Sequence, residues 1–150
     1  MALRGPGLLE KIDLSSNRLT TLKSSIFFYL VNLRYLILNN NQIKSIHSDV
    51  FNNVNSLITL DLSLNKLTDF DLMFLSSSNF TKLRNLKLSH NKLTSIQSSQ
   101  FICLSSLSSL DLSANQIDTL SDCAFHGLQY TMRQLYLNYN QITQVNSCSF

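Results

Sequence analysis

The sequence predicts an α/β solenoid of six stacked repeats, with short parallel strands lining a concave face and loops and short helical turns on the convex face. Two observations carry that expectation. One is a run of the form Leu-x-x-Leu-x-Leu-x-x-Asn-x-Leu, and the other is its return at nearly constant spacing. Composition agrees: the 150 residues include 29 Leu, 23 Ser and 16 Asn, and only 14 % are charged, against about 25 % in ordinary soluble domains.

The first copy is Leu9, Ile12, Leu14, Asn17 and Leu19, and the second is Leu33, Leu36, Leu38, Asn41 and Ile43. The third and fourth are Leu57, Leu60, Leu62, Asn65, Leu67 and Leu83, Leu86, Leu88, Asn91, Leu93. The fifth is Leu107, Leu110, Leu112, Asn115 and Ile117; the sixth is Met132, Leu135, Leu137, Asn140 and Ile142. Successive Asn are 24, 24, 26, 24 and 25 residues apart. A second half closes each period with an apolar residue (Leu22, Ile46, Phe70, Ile96, Leu120, Val145), followed five positions later by Phe27, Phe51, Leu75, Phe101, Phe125 or Phe150.

Each part of the period has a physical reading. In Leu-x-Leu the two Leu point one way and the residue between them points the other, as a strand requires. Stacked repeats then pair these strands into a parallel sheet, with the return arm of each coil on the opposite side. Asn17, Asn41, Asn65, Asn91, Asn115 and Asn140 sit where the chain leaves the strand. An amide both donates and accepts, so these six are expected to form a structural ladder that satisfies backbone groups lacking a sheet partner. The Phe column is expected to stack as a core spine, thinner at the third repeat where Leu75 replaces Phe.

This pattern resembles the leucine-rich repeat consensus over nearly the whole chain, roughly Leu8 to Phe150. The period near 24, the Phe column and the Leu-Asp-Leu-Ser of the third and fifth copies are similar to the extracellular subclass found in Toll-like receptor ectodomains. The resemblance implies a non-catalytic module that binds protein or other macromolecular ligands, at the cell surface or outside the cell, as part of a longer receptor. Two alternatives stay open: a structural or adhesion protein of the extracellular matrix, and an intracellular interaction scaffold. We expect a short extension over 1–7 and one repeat domain over 8–150. Its repeats lie near 9–32, 33–56, 57–82, 83–106, 107–131 and 132–150.

The third repeat carries two extra residues in Leu72 to Phe80, and its Ser76, Ser77, Ser78 and Asn79 are expected to project as a polar bulge. Asn79-Phe80-Thr81 is the sole glycosylation sequon. Cys123 and Cys148 occupy equivalent positions one repeat apart, within disulfide reach. Side chains at equivalent positions of a stack run parallel, however, so thiols are the expected state.

Outward positions of the concave strands supply the candidate ligand contacts. Tyr35 with Ile37, and Tyr136 with Tyr139, offer aromatic or apolar anchors near the two ends. Lys66, Lys87, His90 and Lys92 gather with Lys82 and Arg84 around the third and fourth repeats, a patch an anionic ligand would use, set against Asp61, Asp69 and Asp71. The central column places Asp61, Lys87 and Asp111 on adjacent strands, which is a favourable cross-strand charge arrangement.

Other chemistry finds no support in the sequence. His47, His90 and His126 fall at unrelated repeat positions without metal-ligand spacing, the three Gly form no phosphate loop, and no Ser sits in a nucleophile turn. No enzyme, cofactor or metal is expected. A net charge of +3 does not demand nucleic acid, which is neither indicated nor excluded, and self-association is a further mode open to the surface. No apolar run approaches the ~20 residues of a membrane span, and no signal peptide is evident. Because solenoid ends need polar caps and Met1 to Gly7 is too short for one, a partial chain is expected.

Overall fold

The computed structural model describes residues 7–69, 72, 74–77, 79–145 and 148. Six three-residue strands form one parallel sheet: β1 (Lys11–Asp13), β3 (Tyr35–Ile37), β5 (Thr59–Asp61), β6 (Asn85–Lys87), β8 (Ser109–Asp111) and β10 (Gln134–Tyr136). Register is strict, so that Ile12, Leu36, Leu60, Leu86, Leu110 and Leu135 pair in sequence across the sheet. The inner members of this row are fully buried, while Ile12 and Leu135, in the end coils, are only partly buried because each has a neighbour on one side. The alternation expected of Leu-x-Leu therefore builds the core, and deleting one inner Leu side chain would cost about 2–5 kcal/mol.

The chain leaves every strand through a left-handed turn. Ser16, Asn40, Leu64, His90, Ala114 and Tyr139, each just before a ladder Asn, all have φ between 52° and 57°. This turn directs backbone groups away from the sheet, and the Asn side chain meets them. Asn65 Nδ2 donates to the carbonyls of Leu38, one coil back, and Leu62 in its own coil, at 3.0 and 3.1 Å. Its Oδ1 accepts the Ile43 N–H at 2.9 Å. Asn41, Asn91 and Asn115 repeat the arrangement within 2.9–3.1 Å and are likewise buried. Asn140 makes the same bonds half-buried. Exposed Asn17 reaches only carbonyls of its own turn, Leu14 and Ser15, since no coil precedes it among the described residues.

The return side is more regular than loops and helical turns alone. Two-residue strands pair there, β2 (Thr21–Leu22) with β4 (Ser45–Ile46) and β7 (Ser95–Ile96) with β9 (Thr119–Leu120). In the third repeat no return strand forms among the described residues, and the Asp69 carboxylate bonds the next coil there. It accepts the N–H groups of Thr94 and Ser95 at 2.8 and 3.1 Å and their hydroxyls at 2.6 and 3.0 Å. Four charge-assisted bonds thus anchor the entry to β7 on the preceding coil.

The spine is not thin at the third repeat, contrary to the periodic reading. Phe27 stacks on Phe51 and Phe101 on Phe125, with ring centroids 6.2 and 6.1 Å apart. Between these pairs the extra residues form a single helical turn, α1 (Phe74–Ser77), whose Phe74 is buried against Phe51 at 5.0 Å. Phe80 closes on Phe51 from the other side at 5.4 Å. The insertion therefore supplies the Phe74 ring beside Leu75, itself buried, while Phe80 fills with a ring the buried position that Leu30, Val54 and Leu104 hold in other coils; Asn79 is exposed. Phe70, Asp71, Ser78 and Phe150 lie outside the described residues.

The expectation of thiols is also overturned: Cys123 and Cys148 form a disulfide with Cα atoms 4.7 Å apart. Their Cα separation is that of adjacent coils and lies within the range that side-chain rotation alone can bridge, so parallel Cα–Cβ bonds do not keep the two sulfurs apart. Closing a 25-residue separation contributes roughly 3.5 kcal/mol in the chain-entropy account, and it fastens the last coil to the one before. Cys103 is exposed and not part of this bond.

The ladder's asymmetry gives a test of its energetics. Asn65→Ala strands a buried N–H and two buried carbonyls and should lower unfolding free energy by about 3 kcal/mol. Asn17→Ala, at the exposed end, should cost less than about 1 kcal/mol, with both values read from urea unfolding curves.

Candidate ligand-binding face

Outward side chains of the six strands form a continuous concave surface, and much of its polarity is satisfied internally. Asp13, Asp61 and Asp111 recur on alternate strands, and each accepts both the N–H and the hydroxyl of the Ser two residues on. The hydroxyl distances are 2.7 Å to Ser15, 2.6 Å to Ser63 and 2.6 Å to Ser113, and the N–H distances are 3.1, 3.1 and 3.0 Å. These side-chain turns pin the strand exits. Lys87 Nζ lies 3.4 Å from Asp61 on the adjacent strand. Neighbouring coils are also tied at the rims, where Asn85 donates to the Thr59 hydroxyl and Asn40 to that of Ser16.

The aromatic candidates stand at opposite ends of this face. Tyr35 opens β3 with the Arg34 guanidinium 5.9 Å from its ring centroid, and half-buried Ile37 closes the same strand. Tyr136 ends β10, and Tyr139, in the left-handed turn just beyond, is 83 % exposed. Sheet register keeps the two pairs apart, with three strands between β3 and β10. Lys87, His90 and Lys92 belong to one coil and Lys66 to the preceding one, all exposed. Lys66 and Lys92 each follow a ladder Asn, and Lys66 Nζ donates to Gln42 Oε1 at 3.4 Å. Since Asp61 pairs with Lys87 and Asp69 is committed to Thr94 and Ser95, Lys66, Lys82, Arg84 and Lys92 make no ion pair among the described residues and carry the patch's open charge. Among the described residues, no three His, Cys, Asp or Glu gather as a metal site.

A family described as "Leucine rich repeat" matches the chain over residues 7–67, 31–80 and 81–142. The chain belongs to the leucine-rich repeat family. Leucine-rich repeat-containing G-protein coupled receptor 5 of Rattus norvegicus is 42 % identical over 82 residues, which is 55 % of this chain and 9 % of that protein. Lumican of Gallus gallus is 42 % identical over 64 residues, 42 % of this chain and 19 % of that one. Among solved structures, TLR13 in a TLR13–ssRNA13 complex is similar with a TM-score of 0.86 and 27 % identity, covering 93 % of this chain and 19 % of that chain. This leucine-rich repeat chain thus spans a fifth or less of the length of each, and its resemblance to Toll-like receptor ectodomains extends to three-dimensional shape.

Two features of the leucine-rich repeat surface lie outside the columns read from the sequence. Asp69 acts as an edge cap, an acid placed where its carboxylate meets the start of the next return strand. The second is an edge cavity carrying Arg84 and Arg133; both precede a concave strand, a position the Leu-x-Leu columns leave out.

Asp13 provides a titration test of the side-chain turns. The Ser15 hydroxyl and then the Ser15 N–H hold its carboxyl below the usual carboxylate value. A lowered folded value means that the turn's stabilisation is present above the unfolded pKa and is lost as pH falls through the folded one. In Ser15→Ala, carboxyl-detected NMR should show the Asp13 titration moving upward, and an unchanged midpoint would remove the hydroxyl as its cause.

Proposed function

We propose that the chain is a non-catalytic ligand-binding module of a cell-surface receptor ectodomain, similar to those of Toll-like receptors, that engages a protein on its concave face. One observation carries this reading: a rigid six-stranded sheet presents exposed Tyr35, Tyr136 and Tyr139 while its acidic side chains are already occupied by Ser and Lys partners. Aromatic side chains supply large contact area at low entropic cost, whereas satisfied carboxylates are poorly placed for proton transfer. A receptor among the relatives supports the assignment, and so does a disulfide, which persists in oxidising compartments. Exposed Asn79 is the proposed glycosylation position, consistent with the same compartment.

A second mode is favoured by Lys66 and Lys92, whose open charge with His90 suits an anionic partner. The relative solved with ssRNA gives nucleic acid as one such class. The test is a binding screen of the full chain against secreted and cell-surface proteins. A concave-face partner should lose about tenfold or more in affinity, roughly 1.4 kcal/mol, in Tyr136→Ala/Tyr139→Ala. Lys23→Ala, on the return side, should leave it unchanged. A partner indifferent to the concave substitutions would overturn the reading.

A further inference from the structure

One edge of the solenoid, where each coil enters its concave strand, carries the column Glu10, Arg34, Ile58, Arg84, Ser108 and Arg133. Backbone hydrogen bonds hold this column in register. The Ser108 N–H donates to the Arg84 carbonyl at 2.9 Å, and the Arg133 N–H donates to the Ser108 carbonyl at 2.8 Å. At about 4.8 Å per strand, the Arg84 and Arg133 backbones stand about 10 Å apart on either side of Ser108, a span that two arginine side chains can close upon one group.

The two ends of the column differ in charge balance. Arg34 is paired with Glu10 at 3.6 Å and lies over Tyr35. Arg84 and Arg133 have no carboxylate within ion-pair distance among the described residues. Instead they line an open cavity of about 530 Å³ with no acidic residue in its wall. The rest of that wall is rich in hydroxyls. Ser108 lies between the two arginines in the column; Ser106, whose hydroxyl donates to the Thr81 carbonyl at 2.6 Å, keeps its oxygen lone pairs. Thr131 Oγ1 is buried without a hydrogen-bond partner among the described residues, although such an atom ordinarily finds one. Tyr130, 92 % exposed, stands at the rim.

We propose that this edge cavity binds a sulfated sugar, with a sulfate group held between Arg84 and Arg133 and the sugar ring laid against Tyr130. Guanidinium groups match tetrahedral oxyanions by forked, charge-assisted hydrogen bonds. Clustered hydroxyls match a hydroxyl-bearing ligand, and an exposed phenol offers an amphipathic plate for the apolar face of a ring. A nucleic-acid strand would call for successive aromatic platforms along a basic groove, and the wall has a single aromatic ring. The site lies on the edge of the coil and does not depend on the concave-face reading.

The experiment is calorimetric titration of the full chain with a fully sulfated heparin-derived octasaccharide at near-physiological salt, where diffuse attraction is largely screened. Saturable binding is expected, and Arg84→Ala/Arg133→Ala should weaken it about 100-fold, or tenfold per guanidinium. Tyr130→Ala should weaken it several-fold. Lys23→Ala/Lys44→Ala removes the same charge from exposed return-side positions and should leave affinity within about twofold, since screened long-range charge contributes little. Thermal melts of each variant, all altered at surface positions, establish that the fold persists. The proposal is overturned by absence of saturable binding, by equal loss in the two double variants, or by equal binding of the desulfated octasaccharide. Tighter binding of a single-stranded oligonucleotide of the same charge through Arg84 and Arg133 also overturns it, in favour of nucleic acid.

Discussion

The amide ladder is the constraint on which the other features of this solenoid depend. A chain that must leave a parallel sheet and climb to the next coil exposes carbonyls and N–H groups with no strand to receive them. The left-handed residue before each ladder Asn makes the exit tight, and the Asn side chain satisfies three of those groups across two coils. Because every inner Asn bonds both its own coil and the previous one, the coils cannot slip against each other by a residue without breaking all three contacts. Strand register, the burial of alternate Leu and the alignment of outward columns follow from this.

The ladder also explains where irregularity is tolerated. The two extra residues of the third repeat fall after Asn65 and before Leu83, on the return arm, and the Asn91 bonds to Leu62, Leu67 and Leu88 are undistorted at 2.9–3.0 Å. The change is taken up locally: Asp69 bonds the start of the next return strand, and the added length is folded into a turn that buries Phe74. A rigid concave side and an adaptable return side suit a protein that presents a fixed surface to a partner.

Much of the fold is legible in the sequence because periodicity reports on interactions repeated in every coil. The Leu rows and the Asn positions are of that kind, and single residues can be placed from them. What escapes is what happens once. Leu75 falls at the Phe position of the period, but a local helical turn brings in Phe74, and Phe80 adds a second ring at a position that is aliphatic in the neighbouring coils. The Cys123–Cys148 bond escapes because parallel Cα–Cβ bonds suggest sulfurs held apart, whereas rotation about them closes a 4.7 Å Cα separation. Arg84 and Arg133 are 49 positions apart and separated by a whole coil, so only the fold shows that they share a cavity. Tyr35, Tyr136 and the lysines are visible in the sequence as outward residues; which charges remain open became clear only from the Lys87–Asp61 contact.

The claim that the amide ladder holds the coils together is tested most directly by native-state hydrogen exchange at the N–H groups that donate to it. Ile43, Leu67 and Leu93 donate to buried Asn65, Asn91 and Asn115. They should exchange only through opening as costly as global unfolding, whereas Leu19 and Ile117, bonded to ladder members in part-buried settings, should exchange sooner. Exchange of Ile43, Leu67 and Leu93 at rates typical of exposed loops, with the strand N–H groups still protected, would contradict the account.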